Sequence, residues 1–208
     1  MRAVIDPFQD FAARHEGWWI ILLFILFYRV PDGFIGFMTT PFLLDIGFEK
    51  TTVASIGKLY GFGATIAGMF IGGALIGKLG VMRCLWWFLL FQIGANLMYA
   101  VQAMAGPDAG MLILTISMDN LSGGMVTAAA IAYMMSLCSL SYTATQYALL
   151  SSLASLASIA LAGSAGFIAE FYGWEVMFIL SAAMGLPALI AYRFLVFTRQ
   201  GVSSVSDN

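Results

Sequence analysis

Long apolar runs, interrupted by glycine and by charge, follow one another along this chain, and their continuity says more than any periodicity. Six such runs stand out, over residues 18–44, 52–76, 85–104, 111–137, 147–168 and 176–197. About 20 residues of helix cross a hydrocarbon core about 30 Å thick, so each run predicts one transmembrane helix. The interruptions are short and polar or glycine-rich, at 45–50, 77–80, 105–108, 139–146 and 170–175. They leave no room for a domain outside the membrane. The break at Gly106-Pro107 divides the spans three and three, the spacing expected where two inverted three-helix repeats build one half of a secondary transporter.

Composition turns this pattern into a statement about solvent. Hydrophobic residues make up 61% of the chain and charged residues 10%, with a mean hydropathy of +0.92. A water-soluble domain carries roughly 25% charged residues, so lipid must solvate most of this one. The net charge of -2 points to no nucleic-acid partner. Cys84 and Cys138 lie far apart without CxxC spacing and read as small apolar residues at helix ends. His15 is the only histidine, which argues against a histidine-based metal site, and neither a metal nor a cofactor is expected.

The domain reading is threefold. Residues 1–17 form a cytoplasmic linker or an interfacial amphipathic segment, 18–200 a six-helix half-bundle, and 201–208 a disordered cytoplasmic tail. The first seventeen residues mix Arg2, Asp6, Asp10, Arg14 and Glu16 and lack the apolar core of a secretory signal, so the first span is expected to be retained. Residues 6–14 suit a short amphipathic helix with Pro7 in its first turn. Orientation follows from basic residues near the span ends. Arg2, Arg14, Lys78, Arg83, Arg193 and Arg199 fall on one side, whereas the other receives Lys50 together with Asp45, Glu49, Asp108, Glu170 and Glu175. Both termini are expected in the cytoplasm.

Charges inside the spans carry the chemistry, because each costs about 2.5–3.5 kcal/mol at mid-helix on insertion scales. Arg29, Asp32, Lys58 and Asp119 qualify. Arg29 and Asp32 share a face at a spacing of three, and Pro31 and Gly33 predict a helix break there that frees backbone groups to line a cavity; a local ion pair without a substrate role is the alternative. Lys58, between Gly57 and Gly61, faces inward or snorkels to the interface. Asp119, beside Asn120 deep in the fourth span, is desolvated and would hold a proton near neutral pH, or would serve as a structural partner of Lys58 or Arg29. Gly68, Gly72, Gly73 and Gly77, and the small residues of 151–166, read as helix-packing surfaces. No hydrolase elbow, phosphate loop or paired metal ligands appear, so an enzyme is not expected.

Three passages resemble the muropeptide permease (AmpG-type) branch of the major facilitator superfamily. They are Tyr28-Arg-Val-Pro-Asp-Gly-Phe34 leading to Phe42-Leu-Leu-Asp-Ile-Gly-Phe48, Asp119-Asn-Leu-Ser-Gly-Gly-Met125 with Tyr133-Met-Met-Ser-Leu-Cys138, and Tyr142-Thr-Ala-Thr-Gln-Tyr-Ala-Leu-Leu-Ser-Ser152. The resemblance covers nearly the whole chain and aligns with the family's C-terminal half. It implies an all-α fold of six transmembrane helices forming one major-facilitator half, and proton-driven import of anhydro-muropeptides across the bacterial inner membrane. By the same resemblance Asp32, Asp119, Lys58 and the run Thr145, Gln146 and Tyr147 hold cavity or gating positions; the expected site assigns proton coupling to Asp32 and Asp119, and substrate contact to Arg29, Lys58, Asn120, Thr145, Gln146 and Tyr147. The implied partners are a muropeptide-like small molecule, the proton, the bilayer, and a six-helix N-terminal half or a second copy. One departure stands out: Gly77 occupies the place of the acid in the superfamily's loop between the second and third spans. A relative carrying acetyl-CoA or another anionic solute, and a truncated membrane scaffold, are the competing readings.

Overall fold

A computed structural model describes residues 2–15 and 17–205, with side chains placed for 5–15 and 17–197. Among the described residues there are helices and no strand. Six helices are long and apolar enough to cross a bilayer: Trp18–Asp45, Lys50–Leu79, Val81–Ala105, Ala109–Leu137, Thr143–Tyr172 and Trp174–Phe197. The chain is an all-α, multi-pass membrane protein. Each expected span is present, and most run a few residues past their apolar core. The ends are set by backbone chemistry rather than by hydropathy: Gly80, Gly106 and Gly173 take positive φ, which glycine alone adopts freely, and the Asp108 carboxylate caps the fourth span by accepting from the Met111 N–H at 2.6 Å.

Two expectations about the helices are corrected. The first span does not break at Pro31 and Gly33. Its helix Trp18–Gly36 runs through both, and the interruption falls at Phe37 and Met38, before the short helix Thr39–Asp45. Gly33 serves packing instead, since a Cβ there would collide with Ser158 of the fifth span. The Ser158 hydroxyl also donates to the Arg29 carbonyl at 3.1 Å, which fastens the fifth span to this part of the first. At the N-terminus the helix Arg2–Arg14 begins earlier than expected and holds Pro7 in its interior. At the other end the helix Leu186–Val205 extends into the stretch read as a tail, and residues 206–208 lie outside those described.

Packing orders the spans around an arc: second, fourth, third, sixth, first, fifth. The second and fifth stand at its two ends and are the least buried. Lipid tails are as apolar as leucine, so close packing, not hydrophobic transfer, must hold this arc together. The second and fourth spans show how. A Cβ on Gly68 would strike the Leu121 carbonyl, one on Gly72 would lie 2.9 Å from Met125 Cα, and one on Gly124 would strike the Thr65 carbonyl. Gly73 and Gly77, in contrast, meet nothing and lie on the open face.

Candidate functional site

Two apolar clusters fill the bundle, one above the other. The first gathers Phe24, Tyr28, Leu85, Leu89, Val126 and Tyr133, and the second Phe34, Phe42, Tyr99, Ile116, Met177 and Phe178. The polar residues at the centre of the candidate site fall between them in sequence. Arg29 and Asp32 lie between Tyr28 and Phe34, Gln92 and Asn96 between Leu89 and Tyr99, and Asp119 and Ser122 between Ile116 and Val126. The first, third and fourth spans thus contribute one polar layer sandwiched between two apolar ones, near mid-membrane.

Asp119 is the centre of that layer. Its Oδ2 accepts from the Tyr99 hydroxyl at 2.8 Å and its Oδ1 from Gln92 Nε2 at 3.5 Å. Gln92 Nε2 also donates to Asn96 Oδ1 at 2.9 Å, and the Ser122 hydroxyl donates to Gln92 Oε1 at 2.9 Å. Tyr99 is held flat against Phe178, with ring centres 5.0 Å apart. Gln92, Asn96 and Ser122 are buried, and Asn96 Nδ2 has no hydrogen-bond partner. Asp119 itself keeps partial exposure. Among the described residues no cation forms an ion pair with it.

Arg29 and Asp32 form the second part of the layer. Arg29 Nη2 stands 3.7 Å from Asp32 Oδ2, and Arg29 Nη1 donates to Thr127 Oγ1 at 2.7 Å. Both side chains of the ion pair remain about one-third exposed. Asp32 approaches the fourth span at Gly123, where an added Cβ would lie 3.4 Å from its Oδ1. The single arginine is thus spent on Asp32 and Thr127, and Asp119 is left to neutral donors.

The other expected site residues lie elsewhere. Asn120 points away from Asp119, toward the second span, where it accepts from Thr65 Oγ1 at 2.9 Å and packs against Gly61. Lys58 is exposed on a π-helical stretch, Val53–Tyr60, with no hydrogen bond or ion pair among the described residues. π-Helical turns often accompany functional positions. Thr145, Gln146 and Tyr147 begin the fifth span, roughly 25 Å along the bundle from Asp119 at 1.5 Å per helical residue. Gln146 is fully engaged there: Nε2 donates to the Pro7 carbonyl and to Asp10 Oδ2, each at 2.9 Å, and Oε1 accepts from Arg14 and from the Ser139 N–H. It ties the N-terminal helix to the connection between the fourth and fifth spans. Tyr147 packs against the first apolar cluster. Gln92, Asn96, Tyr99, Ser122 and Thr127 were not expected from the sequence; the signal was present in the i, i+4 amides Gln92 and Asn96 inside an apolar run.

Helices long and apolar enough to cross a bilayer, three of which bring ionisable and amide side chains together near mid-span, form an arrangement that membrane transporters also use. No family model matches the chain. Among known proteins it is 35% identical over its whole length to the anhydromuropeptide permease of Escherichia coli, of which it covers 42%. It is likewise 35% identical to the transporter AmpG 4 of Rickettsia felis, over 93% of this chain and 46% of that one. AmpG 1 of Rickettsia bellii gives 30% over 82% of this chain. The chain is similar in sequence to the AmpG-type permeases over most or all of its own length, and it spans a little under half the length of these relatives.

Proposed function

We propose that this chain forms the C-terminal six-helix half of a proton-coupled carrier that imports anhydro-muropeptides across the bacterial inner membrane. The match of this whole chain to 42% of a protein named anhydromuropeptide permease carries this reading. The polar layer supports it, because a carboxyl held by neutral donors in the bilayer is a group that can take up and release a proton without breaking an ion pair. In this mechanism Asp119 binds the coupled proton and Asp32, through its pair with Arg29, responds to it. Arg29 and the exposed Lys58 offer cations to the carboxylates of the incoming peptide, and Asn120, on the fourth span, holds the second span beside that path. Thr145, Gln146 and Tyr147, at the span end, suit gating rather than contact with substrate. The charge asymmetry of the span ends supports cytoplasmic termini.

The open, glycine-bearing faces of the second and fifth spans are the surfaces on which the other half would seat. The test is uptake of labelled anhydro-muropeptide into membrane vesicles, with this chain expressed alone, with a complementing N-terminal half, and with that half alone. Uptake only when both halves are present is the expected result. Uptake of acetyl-CoA in place of muropeptide would move the chain to a related carrier. Transport by the N-terminal half alone at the full rate would make this chain a scaffold.

A further inference from the structure

At the end of the bundle that carries Lys78 and Arg83, the start of the third span and the close of the sixth leave an open groove of about 710 Å³. Its walls are aromatic, with Trp86, Trp87, Tyr192 and Phe197, and two guanidinium groups, Arg83 and Arg193, stand in it. The shape is fixed by direct contacts. The Tyr192 hydroxyl donates to the Met82 carbonyl at 2.9 Å, the rings of Trp86 and Tyr192 lie 5.2 Å apart, and the Arg193 guanidinium sits 5.9 Å from the Trp86 ring centre. Among the described residues neither arginine has a carboxylate within 4 Å. Trp87 is 63% and Phe197 78% exposed, so the wall faces outward.

The groove's place in the fold decides what can fill it. The third and sixth spans sit mid-arc, opposite the gap between the second and fifth, so the groove opens to lipid rather than toward a second half. Arg83 lies in the first turn of the third span and Arg193 in the last turns of the sixth, the depth at which head groups meet hydrocarbon. A second groove of about 330 Å³, lined only by apolar residues such as Trp19, Leu23, Pro187 and Ile190, shares Phe194 with it. A pair of cations at the interface, without a carboxylate partner among the described residues and beside an apolar groove that shares Phe194, matches one chemistry: an anionic head group attached to an acyl chain.

We propose that this groove binds an anionic phospholipid, its phosphodiester between Arg83 and Arg193 and an acyl chain in the adjoining apolar groove. The experiment is native mass spectrometry of the 208-residue chain in detergent, with equal amounts of phosphatidylglycerol and phosphatidylethanolamine of identical chains. Each arginine near a lipid surface is worth on the order of fivefold in affinity, so retention should favour phosphatidylglycerol by about tenfold or more. Arg83→Gln with Arg193→Gln should abolish the preference, and the two lysine substitutions should keep most of it. Glycerol phosphate, lacking acyl chains, should fail to displace the lipid. Should the double glutamine variant not fold, Arg83→Gln alone leaves the Arg193–Trp86 contact in place and should lose about fivefold. Equal retention of the two lipids, an unchanged preference in the glutamine variants, or displacement by glycerol phosphate would each overturn the proposal.

Discussion

Asp119 concentrates the residue-scale predictions, because its partners are few and each can be removed separately. Tyr99→Phe deletes the 2.8 Å hydrogen bond to Asp119 while keeping the ring stacked on Phe178. The expected cost in stability is about 1 kcal/mol, that of one hydrogen bond to a charged-capable group, and the pH optimum of uptake by the assembled carrier should move. An unchanged pH profile would detach Tyr99 from the proton step. Asp119, Asp32 and Arg29 were legible in the sequence because charge inside an apolar run is conspicuous. Their neighbours Gln92 and Asn96 were not, since a search restricted to charges passes over amides. Nor was the sequence able to separate Asp119 from Asn120: adjacent residues on a helix project about 100° apart, and only the packed neighbours show that one faces the third span and the other the second.

At the scale of elements, glycine packing and one glutamine latch hold the parts in place. Gly124→Val would drive side-chain carbon into the Thr65 carbonyl and toward Met69 N, and overpacking of this kind costs about 1–3 kcal/mol; Gly73→Ala, on the open face, should leave the chain's own stability unchanged. Thermal unfolding in detergent would compare the two. The spans themselves were legible from hydropathy, but the continuous helix through Pro31 and Gly33 was not, because the Ser158 side chain packed on Gly33 arrives from a segment more than 120 residues away. The same holds for Gln146, read as a substrate or gating residue from its family passage, whose contacts with the N-terminal helix are tertiary. Gln146→Ala should release that helix, seen as faster amide exchange across residues 5–14. The Gln146 amide, opposed by partial burial and aided by Arg14, holds the Asp10 carboxyl below its ordinary value of 3.8. A depressed carboxylate stabilises the contact above that value and loses its contribution as pH falls through the lowered one. The helix should therefore stay docked at neutral pH and loosen in acid below about pH 4, with no loosening on the alkaline side from this group.

For the whole molecule, the arc leaves its second and fifth spans uncovered while the polar layer stays partly exposed, and both features suit a bundle that shares its central path with a second six-helix half. The six apolar spans could be read from spacing, whereas their order around the arc could not, since hydropathy assigns each helix to the membrane but not to its neighbours. The most direct measurement is uptake of labelled anhydro-muropeptide by the assembled carrier at several pH values, comparing the unaltered chain with Asp119→Asn, each checked for equal membrane insertion. Uptake should rise several-fold under an inward proton gradient with aspartate present and become slow and independent of the gradient with asparagine. Asp119→Asn uptake that keeps the full pH dependence would contradict the assignment of the proton to this layer.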